Sequence, residues 1–151
     1  MLRLSKLTDY AIMLLSVMAE DPEQVLSASE LAGRAHLEQT TVAKILKILT
    51  KSGLIRSYRG VNGGYRPAVA PRDLSVADVI GAMEGPIGMT ECSVTPGLCA
   101  QEAYCQVQKN WQRISLAVEN ALADVTLEDM TRPMVPPVGV RNIRVVTRGK
   151  L

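Results

Sequence analysis

Cys92, Cys99 and Cys105 are the only thiols of this 151-residue chain, and they follow one another in a C-x6-C-x5-C run. An odd number cannot pair off within one chain, and the opening stretch MLRLSKLTDYAIMLLSVMAEDPEQ turns acidic where a signal peptide needs small residues and a cleavage site. The expected compartment is therefore the cytoplasm. Thiol pools there keep most disulfides reduced, so clustered thiols serve as metal ligands or redox groups. Gly88, Ser93, Thr95, Pro96, Gly97, Gln101 and Glu102 surround them with polar and turn residues, unlike the apolar setting of a cysteine that only fills space. The chemistry expected of this segment is the holding of a metal or a cluster.

A second group of residues is basic. From Gln39 to Arg72 the chain carries Lys44, Lys47, Lys51, Arg56, Arg59, Arg66 and Arg72 and no acidic residue, whereas Gly81 to Met130 carries seven acids against Lys109 and Arg113. Residues 131–151 add five cations and no acid. The net charge of +2 conceals this division. A basic middle beside an acidic cysteine segment implies two tasks, the first of them facing a polyanion.

The elements that must position these groups are mostly helical, since Phe is absent and Leu, Ile, Val, Met and Ala have to fill the core. Thr8 is expected to cap a first helix ending near Glu20, with Asp9 in its first turn and Pro22 as its stop. Ser27-x-x-Glu30 is a capping box that opens a short helix from Ala28 to His36. A third helix, about Gln39 to Ser52, turns Val42, Ile45, Leu46 and Leu49 inward and Thr40, Lys44, Lys47 and Lys51 outward, with Gly53 as its stop. Leu54–Arg59 and Tyr65–Val69 read as strands about a Gly60–Gly64 turn, and Pro67 marks the second as an edge. Ser75-x-x-Asp78 caps a fourth helix ending at Gly85-Pro86. Val107, Trp111, Ile114, Val118, Leu122 and Val125 recur at spacings of three and four, the apolar stripe of a long helix.

A short capped helix, a tight turn, a helix with a polar-basic face and a Gly-rich basic hairpin follow one another in the order of a winged helix-turn-helix. Thr40, Thr41 and Lys44 would then lie near base edges in a major groove, with Lys47 and Lys51 on phosphates and Arg59 at a minor groove. A lysine stripe alone is equally a solvated face; the adjoining hairpin and the missing acids set this one apart. His36, alone and far from the cysteines in sequence, reads as a packing or backbone-bonded residue. No phosphate loop, Ser-His-Asp set or contrasted carboxylate pair is present, so no enzyme activity is expected. A thiol enzyme or a cluster-carrying redox or scaffold protein would gain nothing from the hairpin and the stripe.

The expected architecture is mainly α with a small β-wing. A winged helix-turn-helix DNA-binding domain spans 1–86, a cysteine cluster-binding loop 87–102, a dimerisation helix region 103–130, and a basic tail without regular structure 131–151.

In LRLSKLTDYAIMLL, KILTKSGLIRSYRGVNGGY, LSVADVIGAMEGPI and the three cysteines, the chain resembles the Rrf2 family of bacterial iron-sulfur transcriptional regulators, with its IscR and NsrR branches. The N-terminal wording is nearest the branch that controls the SUF iron-sulfur assembly operon. The resemblance spans residues 1 to about 130. It implies a homodimer packed through the long helices, here about Ala103 to Asp124, that binds promoter DNA and represses according to iron, redox or nitric-oxide status. It also implies an iron-sulfur cluster, 2Fe-2S or 4Fe-4S, on Cys92, Cys99 and Cys105. The x6 spacing departs from the best-known members, and Gln108 stands where the IscR branch has a ligand histidine. Asp9 matches the position of the carboxylate that the NsrR branch contributes from the partner subunit, and Glu91 and Glu102 are the next carboxylates available. Three thiolates leave one iron in need of another donor, whereas a structural zinc takes four Cys or His ligands, often as close pairs that are missing here.

Overall fold

The computed structural model describes residues 3–95, 97 and 99–132. Helix α1 (Lys6–Ala19) begins one turn earlier than its sequence suggests: Ser5, in extended backbone, is the cap, and its hydroxyl accepts the Thr8 N–H at 3.2 Å. Thr8 lies inside the helix, fully buried, and its hydroxyl donates to the Glu84 carboxylate at 2.5 Å. Two adjacent hydroxyls competed for the cap, and burial of Thr8 decided between them.

Helix α2 (Ala28–Ala35) opens on the expected Ser27–Glu30 capping box. His36 ends it in left-handed backbone (φ 53°), exposed, with its N–H on the carbonyls of Ala32 and Gly33. It is thus a backbone-bonded residue and not a packing one. Helix α3 (Gln39–Lys51) buries Val42, Ile45, Leu46 and Leu49 completely, and Gly53 follows it at φ 78°, the left-handed stop. Each such aliphatic side chain stabilises by about 1.5–3 kcal/mol relative to exposure. They share one core with Leu14, Leu15 and Met18 of α1, Leu31 of α2, and Val79 and Ile80 of α4 (Val76–Glu84), whose Ser75–Asp78 capping box also forms as expected.

Strands β1 (Ile55–Tyr58) and β2 (Gly64–Pro67) pair antiparallel, Ile55 opposite Pro67 and Tyr58 opposite Gly64. Leu26 closes the other side of β2 with two hydrogen bonds to Tyr65, 3.0 and 2.8 Å. The second strand is therefore an edge only beyond Tyr65, where Pro67 has no N–H to offer. Gly64 permits this closeness: a Cβ there would sit 2.4 Å from the Leu26 carbonyl oxygen.

The chain from 103 to 130 is not one helix. A 3-10 turn, Glu102–Tyr104, precedes α6 (Gln108–Ala123), and the chain then turns back. Val76 N–H donates to the Val125 carbonyl at 2.8 Å and Leu127 N–H to the Leu74 carbonyl at 2.7 Å. Helix α7 (Leu127–Thr131), with its own Thr126–Asp129 capping box, packs on α1 and buries Leu127. The apolar stripe is thereby divided. Leu122 and Val125 pack against the core of the chain, whereas Val107, Trp111 and Ile114 are 52 %, 38 % and 42 % exposed. The cysteine segment is likewise more ordered than a loop, since α5 (Glu91–Val94) forms one helical turn within it. It runs on to Val107, past the expected limit at 102, and so includes Cys105. Most of the basic tail, 133–151, lies outside the described residues.

Candidate nucleic-acid interface and cysteine segment

The buried side of α3 fixes what its other side presents. Thr40, Lys44, Lys47 and Lys51 are exposed along one stripe, with Thr41 half-buried beside them. The approach from α2 is set by the His36 turn, by Leu37 N–H on the Ala32 carbonyl at 3.0 Å, and by the Gln39 amide donating to Ser29 Oγ at 3.1 Å. This is the helix-turn-helix arrangement, with α3 as its second helix.

Strand alternation divides the wing. Ile55 and Pro67 turn to the core, and Arg56, Tyr58 and Arg66 share the outer face. Arg66 donates to the Tyr58 hydroxyl at 2.8 Å, stacks over that ring at 5.3 Å and pairs with Glu23 at 2.7 Å. The Tyr58 hydroxyl, with Glu23 behind it, holds the guanidinium pKa above its usual value. One of the seven cations counted in sequence is thus engaged by an acid from the α1–α2 connection, which a window over residues 39–72 does not see. Arg59 is exposed at the tip, next to the fully exposed Val61. Sequence reasoning counted Arg56 among the basic residues without assigning it a contact, and passed over Val61; strand register was the signal for the first, and the turn residues around Val61 offered a weak one for the second.

The cysteine segment starts where α1 and α4 meet. The Glu84 carboxylate accepts from the Ser5 N–H at 2.8 Å and from the Thr8 hydroxyl, and these bonds, the hydroxyl first, hold its pKa below the ordinary 4.5. Cys92 is buried on α5 with Thr90 Oγ1 at 3.3 Å from its sulfur, while Cys99 and Cys105 are half-buried and all three are free thiols. Asp9 is exposed in the first turn of α1, its side chain without a hydrogen bond among the described residues. Glu91 is exposed and Glu102 half-buried.

In kind the three thiols fit an iron-sulfur group, which takes thiolate ligands. Among the described residues, however, no three Cys, His, Asp or Glu side chains are gathered so as to hold a metal ion. The segment thus supplies donors of the right chemistry on one stretch of chain, spread along it. Below them the Ser115 hydroxyl, the one buried side chain of α6, accepts from the Met89 N–H at 3.0 Å and ties that stretch to the helix.

The Rrf2 family model, described as an iron-dependent transcriptional regulator, matches residues 4–133. The chain belongs to the Rrf2 family. It is therefore a DNA-binding transcriptional regulator, as the wing and the reading helix suggest. The Rrf2 protein of Nitratidesulfovibrio vulgaris is 31 % identical over 120 residues, 80 % of each chain. Among solved structures, CymR, the global cysteine regulator of B. subtilis, superposes with a TM-score of 0.68 at 27 % identity, covering 87 % of this chain and 97 % of that one. IscR of T. potens gives 0.65 at 27 % identity, covering 85 % of each. Among the described residues of this Rrf2 chain no helix is long and apolar enough to cross a membrane.

Proposed function

We propose that this Rrf2-family regulator is a cytoplasmic homodimer that holds an iron-sulfur cluster on Cys92, Cys99 and Cys105 and represses SUF-type iron-sulfur assembly genes according to the state of that cluster. It reads operator DNA with Thr40, Thr41 and Lys44, takes phosphates with Lys47 and Lys51, and places Arg59 at the minor groove. Asp9 of the partner subunit is the carboxylate donor. The observation that carries this reading is the place of the three free thiols, on one segment that leaves α4 of the DNA-binding module and ends at the first turn of α6. The uncovered residues Val107, Trp111 and Ile114 supply the face that a second copy covers.

A bound cluster supplies a group whose ligands and redox state change with iron, oxygen or nitric oxide. The chain's own residues do the rest: the thiols attach it, Glu84 and Ser115 tie the N-terminal flank of the segment, residues 84–89, to folded helices, and α3 carries the readout. Protein purified and reconstituted without oxygen should show visible absorbance with matching iron and sulfide. Its affinity for the SUF promoter region should differ from that of the metal-free protein by roughly 5- to 150-fold, the usual range of coupling between two sites. Equal affinities for every promoter tested would end the sensing proposal. A second reading is favoured by the three thiols being free, with Cys99 and Cys105 half-buried: the thiols themselves are the redox groups. Iron-free protein whose DNA binding changes on thiol oxidation and recovers on reduction would support that reading instead.

A further inference from the structure

Glu102 stands at the centre of the cysteine segment. Its N–H donates to the Cys99 carbonyl at 3.0 Å, and its carbonyl accepts the Cys105 N–H at 3.3 Å, so its backbone joins two of the three thiol-bearing residues. Its carboxylate reaches further. One oxygen accepts the Gly97 N–H at 2.6 Å, two residues before Cys99, and the other accepts the Gln108 side-chain amide at 2.7 Å, at the first residue of α6. Both are charge-assisted bonds, and together they bring Gly97 and Gln108 to one side chain.

We propose that Glu102 is the positioning residue of the thiol segment: it sets Cys99 and Cys105 relative to each other and, through Gln108, to the first turn of α6. The proposal rests on the reading of the cysteines as the sensing site, and it gives two acidic and amide side chains a role other than ligation. Glu102 is doubly engaged by Gly97 and Gln108, and Gln108 contributes a donor N–H, which a metal does not accept. Among the described residues Cys92 shares no hydrogen bond with Glu102 and is bonded to Thr90 instead, so it serves as an internal control.

The test uses the full-length, reduced, metal-free protein, so that its outcome does not depend on a cluster. Alkylation by iodoacetamide is followed for each cysteine by mass spectrometry, together with amide exchange over the first turns of α6. Glu102→Ala should raise the rates at Cys99 and Cys105 by roughly tenfold, the equivalent of one lost charge-assisted hydrogen bond. The Cys92 rate should stay unchanged, and exchange protection at Asn110 and Trp111, whose N–H groups bond the Val107 carbonyl at 3.1 Å, should fall. Glu102→Gln, whose amide oxygen still accepts from one donor, should recover part of both effects, and Gln108→Ala should reproduce the loss at α6 with a smaller effect on Cys99. Unchanged rates and protection in a folded Glu102→Ala protein would overturn the proposal. So would a tenfold rise at Cys92 as well, which would mean general loosening. The cluster reading fails separately, by absence of iron from anaerobically reconstituted wild-type protein.

Discussion

Replacing Lys47 by Ala changes how DNA affinity depends on salt, by an amount the structure sets. Lys44, Lys47, Lys51, Arg56 and Arg59 are exposed on the reading helix and the wing, whereas Arg66 is held by Tyr58 and Glu23. If Lys47, Lys51 and Arg56 each meet a phosphate in both protomers of a dimer, about six contacts give a log-log slope of about −5.4, at about 0.9 per contact. Lys47→Ala removes one contact per protomer and should bring that slope to about −3.6. The variant's deficit against the wild type should then shrink about tenfold as salt is raised from about 50 to about 200 mM, for specific and nonspecific duplexes alike. Thr41→Ala should show a deficit confined to the operator and constant with salt. Arg66→Ala should behave similarly in slope, because its charge is already taken. Fluorescence anisotropy titrations at four salt concentrations read all three. Parallel lines for Lys47→Ala and wild type, or a flattening by Arg66→Ala as large as that by Lys47→Ala, would refute this assignment of the cations.

Glu84 links folding to pH: its carboxyl is held below 4.5 by the Thr8 hydroxyl and the Ser5 N–H, so its contribution is present above about that pH and lost as pH falls through the lowered folded value. Thermal melts should therefore show that Glu84→Gln costs more stability at neutral pH than in acid, and an equal cost at both would remove the carboxylate from that role. Gly64→Ala places a Cβ against the Leu26 carbonyl and should cost about 1–3 kcal/mol, or free the wing from its Leu26 anchor, seen as lost protection of the Tyr65 amide in hydrogen exchange. Leu127→Ala should cost about 2–5 kcal/mol in denaturant unfolding, since α7 belongs to the core; a surface-like cost below about 0.5 kcal/mol would place α7 outside it. Cys92→Ala, Cys99→Ala and Cys105→Ala should each give colourless, dimeric protein after anaerobic reconstitution, and full iron content in any one would take that cysteine out of the site.

Helix α3 and its two faces were legible because one pattern carried two facts: Val42, Ile45, Leu46 and Leu49 could only face inward, and that alone aims Thr40, Lys44, Lys47 and Lys51 at solvent. The capping boxes at Ser27 and Ser75 were legible because they are local, a hydroxyl and a carboxylate three residues apart. What escaped depends on distant partners. Thr8 satisfies every local rule for a cap and is drawn inside the helix by Glu84, 76 residues away. The six apolar residues from Val107 to Val125 keep helical spacing, yet the last of them leaves the helix to pair with α4, whose Val76 N–H nothing nearby in sequence could satisfy. Thr126-x-x-Asp129 was a second, overlooked sign of that break. Periodicity reports that a face is apolar and is silent on which core covers it.

That division of α6 bears on how a change among the thiols could reach DNA. The end of α6 is fixed, since Val125 and Leu127 bond to the strand-like stretch before α4 and α7 packs on α1. Its middle is tied to Met89 through Ser115, α5 packs on it, and the Gln108 amide at its beginning donates to Glu102 of the cysteine segment. A rearrangement around Cys99 and Cys105 therefore reaches the first turn of α6 through Glu102, while its last turn is held by the core. The first turns are where Val107, Trp111 and Ile114 lie uncovered, so in the proposed dimer such a rearrangement alters the contact between protomers while each reader keeps its internal packing. Half-sites on DNA are about one helical turn, 34–36 Å, apart for a dimeric helix-turn-helix, which makes affinity sensitive to the separation of the two α3 helices. Coupling of this kind shifts the affinity for correctly spaced operators and leaves the affinity for a single half-site unchanged.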